Sequence, residues 1–375
     1  MMIAELCGLT DTCPDLWLPP DAYAELADRI RRLRPPPRLA APTLVHPVPI
    51  DPAGLGGPTR GQSRGPGWRR TAPNRFVPAG AGLTQPAHGT REAADLLPAR
   101  GCVTGWAALH LAGARFFDGR TAQGSDLPVP LALGPRGQRA DREGVVCHRQ
   151  TFDAADTTSH HGVPCLSPER ALLDEMRRTS CVRDAVVALE MACHAELTSV
   201  SRFASTLARQ PRRPDLALVW EATELAVEGA QSPPEVRMRL VWERDAGFPR
   251  PLVNPEVFSL DGRFLGRPDL LDPESGVAGE YDGDHHLEVR QRSRDLGREE
   301  RLRSHGLGYF TVVGGELARG EVVADRMAAT RARALRSREP RRWTLQPPPG
   351  WRTPLPLDDR LALRELLIAR SLPRM

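Results

Sequence analysis

The spacing of apolar residues predicts a mainly helical region before Ser232. Small and apolar residues over 103–113 suit a packed helix, and Ser167 followed by Pro168 is typical of a helix N-terminus. Further helical patterns occupy 21–34, 181–193, 198–209 and 214–229. Short apolar runs, which predict strands, occupy 128–133 and 144–149. The first part of the chain is therefore expected to be helical with a small β element.

A second pattern begins at Ser232, where helical and strand periods alternate. Ser232 and Glu235 have the spacing of a capping box, and Gly247 is a natural stop, so a helix is predicted over 233–245. The strands that follow are predicted over 255–260, 264–271, 276–282 and 309–313. The remaining helices are predicted over 287–305, 320–336 and 358–370. This order indicates an α/β domain in which helices flank a mixed sheet.

Proline and glycine content suggests where the domains begin and end. The stretch from Pro35 to Gly67 has no hydrophobic period and is expected to be a linker or disordered. We therefore predict four parts: an N-terminal segment 1–74 with a short helix, an α/β and helical region 75–230, an α/β domain 231–340, and a proline-rich tail 341–375 with a terminal helix.

Composition narrows the classes of protein. No apolar run approaches the roughly 18 residues that span a bilayer, and no signal peptide is evident, so we expect a cytoplasmic protein without a membrane partner. The seven cysteines are scattered without a C-x-x-C pair. All 51 basic residues are arginine, which excludes Schiff-base and P-loop lysine chemistry. The net charge of +4 permits a nucleic-acid partner without requiring one.

Three carboxylates are predicted to meet on one hairpin. Side chains alternate along a strand, so Glu280 and Asp282 share a face, and the turn 272–276 brings Asp269 opposite Gly279 or Glu280. Clustered carboxylates repel each other, and Mg²⁺ or Mn²⁺ with oxygen ligands relieves that repulsion. The alternative is a strand pair with an ordinary acidic solvent face.

The same stretch resembles a nuclease family. Pro268-Asp269, then Glu280-Tyr281-Asp282-Gly283 and His286, is similar to the PD-(D/E)XK nuclease superfamily and more closely to its very-short-patch-repair (Vsr) endonuclease-like branch. The segments 232–240 and 292–313 resemble the first core helix, the R-x-R-D-x-x-R helix and the final strand of that branch. The resemblance covers about 231–318 and implies a restriction-endonuclease-like core.

The resemblance also implies roles for individual residues. Asp269 and Glu280 would bind Mg²⁺ or Mn²⁺, and Asp282 would be a third acid at the position where the superfamily has its lysine. His286, or His285, would accept a proton, unless it is an ordinary surface residue.

Other charged residues have two interpretations each. Glu235 either caps its helix or joins the acids. Arg290, Arg294 and Arg298 share one helix face and either bind phosphate or pair with neighbouring acids. Residues 326–342 contain seven arginines and one glutamate, which makes them the best local candidate for a nucleic-acid contact.

The region before Ser232 resembles a second family. Segments 75–80, 103–113 and 162–175 are similar to the AbiEi-type antitoxin arrangement of many actinobacterial proteins. The residues that match its T-x-P-x-R-T-L-x-D motif are Ser167, Pro168, Arg170, Leu173 and Asp174. Family members often begin with a DNA-binding winged helix, whose pattern the first 70 residues lack. Arg170 and Asp174 are four apart on a helix and are expected to form an ion pair.

Three functions follow as hypotheses. The first is a Mg²⁺-dependent DNA endonuclease that hydrolyses phosphodiester bonds in a defence or toxin–antitoxin setting. The second is a non-catalytic, DNA-binding regulator of antitoxin type that retains the nuclease fold, with a cognate toxin as a possible partner. The third is a partner-binding protein of a defence operon without nucleic-acid contact.

Overall fold

The computed structural model describes residues 26, 28–30, 32–82, 85–121, 123–211, 213–283 and 289–371. The described chain is a mixed α/β protein that divides into two compact units. One unit is Pro37–Ala226, and the other joins the described residues up to Pro36 with those from Val227 onwards. Within the described residues, no helix is both long enough and apolar enough to cross a membrane.

The unit Pro37–Ala226 is built on a hairpin and a five-stranded sheet. The hairpin pairs β1 (Trp68–Ala72) with β2 (Arg75–Pro78). The strands of the sheet are β3 (Cys102–Val103), β4 (Val129–Ala132), β5 (Val145–His148), β6 (Thr157–His160) and β7 (Val163–Leu166). They lie in the order β5-β4-β3-β7-β6 and mix parallel with antiparallel pairs.

The described part of this unit also contains six α-helices. They are α1 (Pro86–Ala94), α2 (Gly105–Leu111), α3 (Pro168–Met176), α4 (Val182–His194), α5 (Val200–Ala208) and α6 (Ala217–Leu225). The helix predicted within 103–113 is present and largely buried. Ser167 is the N-cap residue of α3 and Pro168 its first residue, as predicted, although the Ser167 hydroxyl makes no capping hydrogen bond.

The segment predicted to be a linker is ordered in its described part. β1 begins at Trp68, ahead of the predicted boundary at residue 75, and Val48 exchanges backbone hydrogen bonds with Phe76. Asp51 accepts hydrogen bonds from the amides of Ala53, Leu55 and Gly56. Local turn chemistry therefore orders a proline- and glycine-rich stretch that has no hydrophobic period.

The unit from Val227 onwards begins with α7 (Pro233–Leu240), which continues as a π-helical turn over Val241–Asp245. Its strands are β8 (Leu252–Val253), β9 (Val257–Ser259), β10 (Phe264–Gly266), β11 (Leu270–Asp272), β12 (Val277–Asp282), β13 (Gly308–Val313) and β14 (Trp343–Thr344). Its other helices are α8 (Val289–Ser304), α9 (Gly320–Arg336) and α10 (Leu357–Ser371). Apart from β8 and β14, which the sequence does not predict, and β10 and β11, which it predicts as one strand, these bounds lie close to the predicted ones.

A mixed four-stranded sheet of order β13-β12-β11-β8 lies at the centre of this unit. β11 and β12 are antiparallel neighbours, whereas β13 runs parallel to β12 after the crossover through α8. One face of the sheet packs against α7, the π-helical turn and α9 around Trp242, Phe310 and Met327. The other face packs against β9, β10 and α8, with Leu271, Ala278, Leu302 and Tyr309 in contact.

Gly279 makes room for the aromatic packing on the first of these faces. A Cβ at Gly279 would overlap the Phe310 ring of the adjacent strand. The Phe310 ring is itself stacked on Trp242, with ring centroids 6.1 Å apart. A side chain at residue 279 would therefore separate α7 from the sheet that carries the acids.

The predicted strand 264–271 is two strands in two different sheets. β10 belongs to a three-stranded sheet with β9 and β14, whereas β11 belongs to the central sheet. The chain changes sheets at Arg267–Asp269, where Pro268 has no N–H to donate to a ladder. The tail predicted from residue 341 also joins this unit, because β14 pairs with β9.

Candidate functional site

Asp269 and Glu280 lie opposite each other on one face of the central sheet. β11 pairs Leu270 with Gly279, and the same register places Asp269 opposite Glu280. One oxygen of the Asp269 carboxyl accepts a hydrogen bond of 2.8 Å from the Tyr281 amide. The Asp269 carboxylate therefore adds one hydrogen bond between β11 and β12 beyond their last backbone pair, Leu270 and Gly279. The hairpin folds as the sequence predicts at this point.

Glu280 is buried beneath α8. Its side chain lies on the face that carries Ala278 and Tyr309, and only 7 % of the residue is exposed. The Arg298 guanidinium, on α8, donates a hydrogen bond of 2.6 Å to Glu280 Oε2. Burial, together with the charge of Glu280 and a hydrogen bond to it, raises the pKa of the Tyr309 hydroxyl. Glu280 is thus held by a cation and a phenol.

Glu235 is anchored at the N-terminus of α7. Its carboxylate accepts hydrogen bonds from the Ser232 hydroxyl at 2.8 Å and from the Gln231 amide at 2.8 Å. The side-chain amide of Asn254 donates a third, at 2.9 Å. Ser232 in turn accepts a bond from the Glu235 amide, so the capping role is confirmed, with the Gln231 amide as the backbone donor.

Asp269 is held among like charges. Burial is the main cause that raises the pKa of Asp269 to about 8, and the negative charges of Glu235 and Glu280 raise it further. The Tyr281 amide and the charge of Arg298 act in the opposite direction. Glu235 therefore caps α7, and its charge also acts on Asp269, while its role as a further acid of the site stays a prediction. A positive ion beside Asp269 would relieve the repulsion.

Asn254 connects these residues and was not singled out from the sequence. It adopts a left-handed conformation, with φ of 48°, and it is 9 % exposed. Its amide donates to the Asp269 carbonyl at 3.1 Å, while its side chain bonds Glu235 and the Gly229 carbonyl. The dipeptide Asn254-Pro255 is a turn signal that could have drawn attention to it.

The other predicted site residues, apart from Arg298, lie away from this group or have side chains beyond the described residues. Asp282 is at the exposed end of β12, and the like charges that act on Asp269 are those of Glu235 and Glu280. His285 and His286 lie outside the described residues, as do the side chains of Arg290 and Arg294, whose backbone belongs to α8. Arg298, predicted to bind phosphate, contacts Glu280.

The donor atoms suit a hard divalent cation. Asp269 and Glu280 offer carboxylate oxygens on neighbouring strands, and Mg²⁺ is commonly held by one or two carboxylates with water and phosphate as its other ligands. Within the part of the chain that the structure describes, no group of three or more His, Cys, Asp or Glu side chains is arranged to hold a metal ion. These residues therefore offer two protein carboxylates, on Asp269 and Glu280, as candidate ligands.

The ion pair predicted between Arg170 and Asp174, in the unit Pro37–Ala226, is present and buried. Arg170 Nη2 lies 3.5 Å from Asp174 Oδ1, and the Thr104 hydroxyl donates to Asp174 Oδ2 at 2.8 Å. Gln150 accepts a further bond of 2.8 Å from Arg170. Burial raises the pKa of Asp174, while Arg170 and Thr104 oppose that shift. This network ties α3 to the residue that precedes α2 and therefore has a structural explanation.

Comparison with known proteins adds no relative. The chain matches none of the family models, curated proteins or solved structures with which it was compared.

Proposed function

We propose that the unit from Val227 onwards is a metal-dependent endonuclease-like domain that hydrolyses phosphodiester bonds of DNA. Asp269 and Glu280 would hold Mg²⁺ or Mn²⁺, and Glu235 would orient and charge the site from the adjacent helix. The proposal includes a restriction-endonuclease-like core, for which the mixed sheet flanked by helices is the expected architecture.

One observation carries the proposal: two acids face each other across a buried strand pair, and the charge of a third carboxylate, Glu235, acts on one of them, Asp269. Burial of a carboxylate beside other negative charges is costly, and Arg298, which pairs with Glu280, offsets only part of that cost at Asp269. The raised pKa of Asp269 agrees with the geometry, because burial and the charges of Glu235 and Glu280 disfavour a negative charge there more than Arg298 and the Tyr281 amide favour it. A divalent ion would remove this repulsion between carboxylates, and the free energy gained would favour binding of the ion.

The roles of the residues follow from their positions. A bound Mg²⁺ or Mn²⁺ would supply Lewis acidity and a water of lowered pKa. Asp269 and Glu280 would fix the ion, and the bond from the Tyr281 amide holds the Asp269 carboxylate in orientation. Arg298 carries a charge that a phosphate oxygen could share with Glu280. His286 stays the predicted proton acceptor.

A second candidate function is supported by the pairing of Arg298 with Glu280. An arginine that neutralises a buried acid can stand in for a metal, as expected of a nuclease fold that has lost hydrolysis and serves as a DNA-binding regulator. The absence of lysine from the sequence, which leaves Asp282 at the position of the superfamily lysine, favours the same reading.

The proposal is tested by nicking of supercoiled plasmid with Mg²⁺ or Mn²⁺. We expect wild-type protein to nick the plasmid, and Asp269→Asn and Glu280→Gln each to lower the rate at least about 100-fold, because each removes a ligand charge. Asp325→Asn is the matched control, since it removes an exposed acid of the same unit.

Three results would decide between the candidates. Equal rates for wild type, Asp269→Asn and Glu280→Gln would contradict the site assignment. Plasmid binding without nicking by wild-type protein at any metal concentration would favour the regulator. A loss of rate in Asp325→Asn as large as in Asp269→Asn would show that the effect is not specific to the site.

A further inference from the structure

A polar groove lies on the same unit as the acids. It encloses about 580 Å³ between the C-terminal half of α9, the start of β13 and the segment that follows α9. Its charged and aromatic lining residues are Glu274, Arg303, Tyr309, Arg333, Glu339 and Arg341. Three arginines against two glutamates give the lining of this groove a net charge of +1, and its volume exceeds that of a single phosphate group.

Acids of the protein neutralise some arginines of the 326–342 segment. Arg326 is paired with Glu316 at 2.6 Å, and Arg331 is paired with Asp272 at 2.9 Å. Arg341 donates to the backbone carbonyls of Pro273 and Glu274. These three arginines have evident structural roles, because each ties α9 or the segment after it to another element.

The side chains of three other arginines of this segment have no such role. Arg336, Arg338 and Arg342 are exposed, and none of them forms an ion pair with an acidic side chain among the described residues. Arg333, which lines the groove, is also exposed and donates to the Thr330 hydroxyl at 3.0 Å. Exposed positive charges this close in the sequence repel one another, and a polyanion that binds them relieves that repulsion.

The groove and the acid site share a residue. Tyr309 lines the groove, and its hydroxyl is hydrogen bonded to Glu280. The Arg303 guanidinium lies over the Tyr309 ring, 5.1 Å from its centroid, and pairs with Glu299 at 2.8 Å. A nucleic-acid strand whose phosphates lie along the groove would therefore lead towards the face of the sheet that carries Glu280.

We propose that this groove and Arg336, Arg338 and Arg342 form an anchoring surface for the phosphodiester backbone of duplex DNA, separate from the acids that would perform hydrolysis. The assignment of DNA rests on the proposed function. Arginine suits this task because its planar guanidinium binds phosphate oxygens in pairs. Contacts of this kind hold the backbone without reading the base sequence.

The test is DNA binding measured by fluorescence anisotropy in EDTA, with a short labelled duplex of random sequence. The variant Arg336→Gln/Arg338→Gln/Arg342→Gln is compared with Arg60→Gln/Arg100→Gln/Arg136→Gln. The control removes the same number of charges from exposed positions of the other unit. We expect the first variant to bind at least about tenfold more weakly, and its salt slope to fall by about one per arginine. The control should bind nearly as wild type does.

Several outcomes would overturn the anchoring surface. They are the absence of duplex binding by wild-type protein, an equal loss in the two triple variants, and a clear preference for duplex RNA of the same sequence. The proposed hydrolysis fails independently of these, when Asp269→Asn nicks plasmid as wild type does although it binds DNA in EDTA. The two proposals are therefore distinguishable in one set of proteins.

Discussion

Asp269→Asn is expected to be more stable than the wild-type protein above about pH 8 when no divalent metal is present. The folded protein holds the Asp269 carboxyl with a pKa of about 8, well above its ordinary value of 3.8. Asparagine removes the charge and keeps the shape of the side chain. We expect the free energy of unfolding to rise by about 2–4 kcal/mol at high pH.

The sign of this pH dependence of stability follows from the direction in which folding shifts the pKa of Asp269. A carboxyl whose pKa is raised on folding favours the folded state while it is protonated, so its contribution is fully present below about pH 4. That contribution is lost as the pH rises through about 8, because ionisation then occurs beside Glu235 and Glu280. The advantage of Asp269→Asn should accordingly be small near pH 4 and should grow up to about pH 8.

The measurement is urea unfolding of the full chain in EDTA at several pH values. Asp325→Asn serves as the control, since its exposed position should give no pH-dependent difference from wild type. An Asp269→Asn variant that loses stability at every pH would contradict this account. It would mean that the Asp269 charge is favourable in the folded protein.

Asp174→Ala is expected to lower the free energy of unfolding of the unit Pro37–Ala226 by about 3–5 kcal/mol. Asp174 and Arg170 are 3 % and 6 % exposed, so removal of the carboxylate leaves a buried guanidinium without its counter-charge. It also leaves the Thr104 hydroxyl without its acceptor. Loss of this pair therefore costs far more than loss of an exposed one.

Thermal and urea unfolding measure this effect, with two comparisons. Asp126→Ala removes one partner of the exposed Arg120–Asp126 pair and should change stability little. The double variant Arg170→Met/Asp174→Leu removes both buried charges and should recover most of the loss. A single variant Asp174→Ala as stable as wild type would show that the buried pair is not needed for the fold.

Local patterns in the sequence predict many of the helices and strands of the unit from Val227 onwards. The helix predicted over 320–336 is α9, and the strand predicted over 276–282 is β12 apart from its first residue. The turn from Asp272 to Gly276 pairs the strands as expected, with Gly276 at φ of 71°. These features depend on neighbours in the sequence, which explains why periodicity and turn residues identify them.

Contacts between elements that are distant in the sequence determine the features that local patterns do not predict. Arg298 has no local feature that assigns it to Glu280, because the pairing depends on how α8 lies over the sheet. Pattern alone likewise does not divide 264–271 between two sheets, nor does it place Asn254 between Glu235 and Asp269. The sequence predicts Asp269 opposite Gly279 or Glu280, and the structure has it opposite Glu280. Glu235 rather than Asp282 supplies the second like charge that acts on Asp269.

Calorimetric titration of the metal-free protein with Mn²⁺ tests most directly whether this group of carboxylates takes a divalent cation. We expect one ion per chain, bound by wild type and by Asp325→Asn but lost in Asp269→Asn and in Glu280→Gln. Because the ion must displace the proton of Asp269, its affinity should increase by up to about tenfold per pH unit between about pH 6 and pH 8. Mn²⁺ binding that persists unchanged in Asp269→Asn, or no binding at all by wild type near pH 8, would contradict the account.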